Sequence, residues 1–84
     1  MLGFTMTETH LDMLCRLPEY REKRKHIFQS EGALQWFVRR HRRGLVECGA
    51  LMLLTGQWHA HEARFDAFVL EAGADAARVH AAVK

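Results

Sequence analysis

The stretch from Ser30 to Gly44 constrains the fold more than any other part of the chain. Leu34, Phe37, Val38 and His41 recur at i, i+3, i+4 and i+7, the spacing that gathers side chains on one side of an α-helix. Gln35, Arg39, Arg42 and Arg43 recur in the same rhythm and fall on the other side. Ser30 offers a hydroxyl to the free amides of a first helical turn, and Gly44 reads as a stop. The expectation is a short helix with one buried face and one cationic face. His41, on the apolar stripe, is expected to be a partly buried, hydrogen-bonded core residue.

That helix closes a basic segment. From Arg16 to Arg43, nine Arg or Lys stand against Glu19, Glu22 and Glu31, a local charge of +6. Residues 1–15 and 44–84 each sum to −2, so the net charge of +2 hides the asymmetry. Evenly spread charge would read as ordinary solvated surface, but this concentration points to an anionic partner. With 84 residues, 49% of them apolar, the chain makes one domain with a compact core. No apolar run reaches the roughly 18 residues of a membrane helix. Leu45–Leu54 comes nearest and is broken by Glu47, Cys48 and Gly49. The N-terminus has neither the basic flank nor the apolar stretch of a secretory signal. Cys15 and Cys48 are too few for a disulfide framework. Two free thiols, a cytoplasmic location and no membrane contact follow as expectations.

Around the central helix the elements are read as follows. Thr5–Leu17 is expected to be a first helix, with Thr5 and Glu8 at capping-box spacing and Leu11, Leu14 and Cys15 on one face. Pro18 ends that segment or begins the next, and Pro18–Phe28 suits a short helix or a draped loop equally. Leu45–Ala50 is expected to be a turn-rich link. Leu51–Leu54 and Gln57–His61 flank Thr55-Gly56, a two-residue hairpin turn. Trp58 and Ala60 then share one side of the second strand, with Gln57, His59 and His61 on the other. A helix over Glu62–Ala72 presents Phe65, Phe68 and Val69, Gly73 caps it, and Asp75–Val83 forms a short tail helix. The fold class is mainly α with a small β-hairpin: an N-terminal helix (1–17), a core (18–72) and a helical tail (73–84).

No catalytic constellation is expected. Cys48 with His59 or His61 lacks an orienting third group and an oxyanion site, and so short a chain has little room for a substrate pocket. His59 and His61 supply two metal donors where a structural zinc site needs four. No cofactor and no metal are expected. Trp36, Phe37 and Trp58 suit a core better than stacking platforms for single strands, with Trp36 left exposed. The basic helix has what a DNA-reading helix needs. Gln35 and Arg39 lie near its N-terminal part and are the candidates for base edges. Arg40, Arg42 and Arg43 suit phosphates, Lys23, Arg24 and Lys25 suit the flanking backbone, and Gln57 is expected to contact DNA from the hairpin.

The order of elements resembles the winged helix-turn-helix modules of the excisionase and MerR-like group found on mobile elements. Ser30–Val38 resembles their recognition helix, and Gly44-Leu45 with Gly49-Ala50-Leu51 resembles the linker to the wing. Trp58 and Phe65–Val69 resemble the second wing strand and the closing helix. The resemblance spans residues 26–71. It implies a winged helix-turn-helix-like domain that binds double-stranded DNA, as a recombination accessory factor or small transcriptional regulator, as a homodimer or beside a partner recombinase or regulator. The exposed part of the first helix or the tail helix would be the dimer seam. The chain departs from that group in the wing, where Leu53, Gly56 and Gln57 replace the usual Arg or Lys. The rival expectations are an anti-repressor or antitoxin-like adaptor, whose basic helix meets an acidic protein, and an RNA binder.

Overall fold

A computed structural model describes residues 11–82 of the chain. After a single helical turn at Leu11–Met13 the elements run β1 (Leu14–Arg16), α1 (Leu17–Lys23), α2 (Glu31–Glu47), β2 (Leu51–Leu54), β3 (Gln57–His61) and α3 (Glu62–Ala82). The architecture is mainly helical with a small three-stranded antiparallel sheet in the order β1-β3-β2. The third strand was not anticipated. Leu14–Arg16, expected to close a first helix, instead pairs with β3 in the register Leu14↔His61, Cys15↔Ala60, Arg16↔His59. Tertiary pairing wins over a weak local helix pattern here, because β3 would otherwise leave one edge unpaired. The Thr5–Glu8 capping pair lies outside the described residues. Pro18 begins a helix rather than ending one: it sits in the first turn of α1, where its missing N–H costs nothing.

α2 starts as anticipated, the Ser30 Oγ accepting from the Ala33 amide at 3.1 Å. It does not stop at Gly44. The helix runs on to Glu47 and ends at Gly49, whose φ of +83° suits the left-handed position that closes a helix. The Gly49 amide bonds to the Val46 carbonyl at 3.1 Å and the Ala50 amide to the Leu45 carbonyl at 2.8 Å, the paired bonds of a Schellman motif. Gly44 serves a different purpose. A Cβ there would stand 2.9 Å from Phe68 Cε2, so its lack of a side chain lets α2 and α3 approach. The Phe68 ring is flanked by Phe37 and His41, at centroid distances of 6.2 and 5.5 Å, and has little room to turn aside. Gly44→Ala is expected to lose about 1 kcal/mol net in urea unfolding, overpacking of about 1–3 kcal/mol outweighing the gain in helix propensity.

The core forms where these elements meet. Tyr20, Leu34, Leu45, Leu51 and Phe65 are its largest fully buried side chains. Tyr20 lies against Phe65 at 4.5 Å between centroids, and Phe37 extends the aromatic cluster towards Phe28 at 5.4 Å. Each such side chain contributes about 1.5–3 kcal/mol relative to exposure. The hairpin turn falls at Thr55-Gly56 as expected, with φ of 50° and 77°, both positive as a type I′ turn requires. α3 is one helix from Glu62 to Ala82 and passes through Gly73 without a break. The expected cap at Gly73 and separate tail helix are therefore replaced by a single long rod.

Candidate nucleic-acid interface

Folding divides the basic segment into two halves with different fates. In the first half, the cations meet carboxylates and carbonyls of the same chain, Arg24 in a half-buried cluster and the lysines at the surface. Arg24 grips Asp66 with Nε on Oδ1 at 2.8 Å and Nη2 on Oδ2 at 2.5 Å, while the Tyr20 hydroxyl donates to the same Oδ1 at 2.6 Å. Lys23 donates to Glu62 at 2.9 Å and Lys25 to Glu22 at 3.0 Å. Arg21 donates to the Phe28 and Gln29 carbonyls. Of the three residues expected at a nucleic-acid backbone, Arg24 is taken up by Asp66, whereas Lys23 and Lys25 remain at the surface in exposed pairs. Arg24 ties the end of α1 to α3, while the pairs of the two lysines are exposed and easily exchanged. Gln57, expected to contact DNA from the hairpin, is exposed and accepts from Arg16 Nη2, joining β3 to β1.

The second half stays on the surface. Gln35, Arg39, Arg40, Arg42 and Arg43 are all exposed on α2. Among the described residues no carboxylate lies within ion-pair distance of Arg39, Arg40 or Arg42. Arg43 meets Glu47 one turn on, at 3.6 Å, and is 91% exposed, a pairing worth little in water. The four residues expected on one straight stripe are distributed over a bend, because His41 departs from helical geometry with φ −115° and ψ 20°. Gln35 and Arg39 belong to the segment before the bend. Arg42, beyond it, places its guanidinium 5.8 Å from the Trp58 ring centroid, beside the hairpin. Arg40 turns away from this group and lies 5.4 Å over Trp36, which is 58% exposed as expected for one of the tryptophans. His41 packs its ring against Phe37 at 4.5 Å, so aromatic contact holds it in the core margin.

The surface so formed can donate several hydrogen bonds to an acceptor-rich, anionic ligand. Arginine presents a planar fork of N–H groups and glutamine a donor–acceptor pair. The ties of Lys23 and Arg24 to α3 were not readable from the basic run itself. The only hint was Glu62 and Asp66, four residues apart on a helix and some forty residues away. Arg42 beside Trp58 was equally hidden, since it depends on how the hairpin folds back along α2.

His61 serves the fold. Its side chain is 6% exposed, and Nδ1 accepts from the Arg64 amide at 3.2 Å, the bond an N-cap residue makes at the start of a helix. Burial first, and Arg64 second, hold its pKa below the ordinary 6.5. A base with a lowered folded-state pKa stabilises fully above the unfolded value, and that contribution is lost as pH falls through the folded one. Urea midpoints are thus expected to fall as pH drops below 6.5. His61→Asn, which can cap without titrating, is expected to flatten that fall.

Comparison of the chain with protein-family models, curated proteins and solved structures found no significant match.

Proposed function

We propose that this protein binds double-stranded DNA as a small winged helix-turn-helix domain, with α2 in the major groove. The observation that carries the reading is the outer face of α2, where Gln35, Arg39 and Arg42 are exposed and no carboxylate of the described residues lies within ion-pair distance of either arginine, whereas Lys23, Arg24 and Lys25 of the same basic segment are paired. A helix fits the major groove, where Arg can bond guanine O6 and N7 together and Gln can bond adenine N6 and N7. Gln35 and Arg39, before the bend, are the base readers. Arg42 and Arg43, after it, hold phosphates and fix the register.

The order of elements supports the same reading. Two consecutive helices, α1 and α2, are followed by a hairpin whose central strand also pairs with β1, and α3 closes the unit. In a winged helix-turn-helix the second helix of such a pair is the reading element. The hairpin tip of Leu53, Thr55 and Gly56 carries no cation, so α2 supplies most of the affinity. An accessory role in recombination, or regulation of transcription from a nearby site, suits so small a domain acting beside a partner recombinase or regulator.

The test is a titration of the full chain with duplex DNA across salt, including DNA bordering its own gene, with structured RNA as competitor. Binding that weakens steeply with salt and is displaced by duplex rather than RNA supports the proposal. Absence of a shift at low salt, with a stoichiometric protein partner recovered instead, would sink it.

A further inference from the structure

Arg40 has no part in the proposed reading face. Its guanidinium lies over the exposed Trp36, and no carboxylate of the described residues comes within ion-pair distance of it. Both side chains line an open groove of about 840 Å³ between the first half of α2 and the outer half of α3. Small-molecule sites run from about 300 to 1,000 Å³, mostly apolar with a few polar groups that fix orientation. This groove has that make-up. Phe28 is buried at its edge, Phe37 and Val69 line its half-buried depth, and Ala76 and Val79 form its exposed α3 wall. It is also longer than it is wide. Its lining follows α3 from Val69 to His80, about 17 Å of helix axis, but α2 only from Trp36 to His41, about 8 Å.

We propose that this groove binds a long-chain carboxylate, with its head on Arg40 and its acyl chain laid along α3 over Phe37 and Val69. Charge chooses the head. Across the groove Asp75 is met by Arg78, so that pair adds no net charge, and the unpaired Arg40 gives the groove its positive sign. A guanidinium beside a ring still has N–H groups to donate, and a carboxylate accepts two of them in parallel. An alkylammonium head would meet the like charge of Arg40 instead. Shape chooses the tail. A narrow trough about 17 Å long suits an extended chain better than a compact ring system. Its methylenes would cover Trp36 and Val79, which are 58% and 65% exposed, and apolar surface leaving water supplies the driving force. Gln35 and Arg39 do not line the groove, so the inference stands independently of DNA binding.

Isothermal titration calorimetry of the full chain with decanoate, decanol and decylammonium, each below its aggregation limit, makes the test. Decanoate is expected to bind saturably, one per chain, and more tightly than decanol, with decylammonium the weakest. Arg40→Gln is expected to weaken decanoate by roughly tenfold or more, the loss of a charge-assisted contact, and to leave decanol unchanged. Ala76→Trp, at an exposed position of the α3 wall, should fill the trough and abolish binding of both, with the far-UV circular dichroism retained. If Ala76→Trp disturbs the helix, Arg40→Gln decides, since it leaves the apolar lining intact. No saturable binding of decanoate, several molecules taken up per chain, decylammonium binding as tightly, or an affinity indifferent to Arg40→Gln would overturn the proposal.

Discussion

Replacing Arg39, Arg42 and Arg43 together with alanine is expected to lower affinity for duplex DNA by roughly two to three orders of magnitude, while the fold stays intact. The magnitude follows from three charge-assisted hydrogen-bonding groups at roughly 1–1.5 kcal/mol each, the modest end of what arginine supplies. For every phosphate no longer neutralised, the slope of log affinity against log salt should also flatten by about one. Stability should change by no more than about 1 kcal/mol, since among the described residues only Arg43 of the three meets a carboxylate, in an exposed pair, and Arg42 only rests near the Trp58 ring. The single substitutions separate the roles. Arg39→Ala should relax sequence preference, whereas Arg43→Ala should weaken all sequences alike. Salt-dependent fluorescence anisotropy on the wild type and these variants makes the check. Affinity unchanged by the triple substitution would remove α2 as the reading element.

Asp66→Ala is expected to cost about 2–3 kcal/mol of folding stability, or roughly 10–20 °C in melting temperature for a domain of this size. Asp66 accepts the fork of Arg24 and the hydroxyl of the fully buried Tyr20, so its loss leaves the phenol without that acceptor and the guanidinium with only Glu62, at 3.7 Å, among the carboxylates of the described residues. The figure lies below that for a wholly buried ion pair because the Asp66 side chain is 38% exposed and water screens part of the attraction. Tyr20→Phe should cost less, about 1 kcal/mol, since it removes one bond and keeps the ring in place. Glu62→Ala, at the exposed margin of the same cluster, should cost under about 1 kcal/mol.

The same cluster predicts how stability depends on pH at both extremes. The Arg24 fork, more than any other group, holds the Asp66 carboxyl below its ordinary 3.8. Its contribution is therefore complete above that value and is lost as pH falls through the folded-state pKa. Burial, reinforced by Asp66, pushes the Tyr20 hydroxyl above its ordinary 10. That contribution is complete below 10 and is lost as pH rises through the higher folded-state value. Asp66→Ala should flatten the acid limb, and Tyr20→Phe the alkaline one, in chemical unfolding followed across pH.

The sequence alone determined what depends on neighbours a few residues apart. The Ser30 cap, the buried Leu34 and Val38, the exposed Gln35 and Arg39, and the Thr55-Gly56 turn all follow from helical or strand period and local backbone chemistry. Tertiary structure decided the rest. Leu14–Arg16 became a strand because β3 offered an open edge, and Gly44 became a point of close approach because Phe68 lies across it. Arg24 turned inward because Asp66, distant in sequence, stands opposite it on α3, while Arg39 meets no such carboxylate among the described residues and stays exposed. A cation's fate is set by the charge that folding brings within a few ångströms, and a run of arginines does not encode that distance.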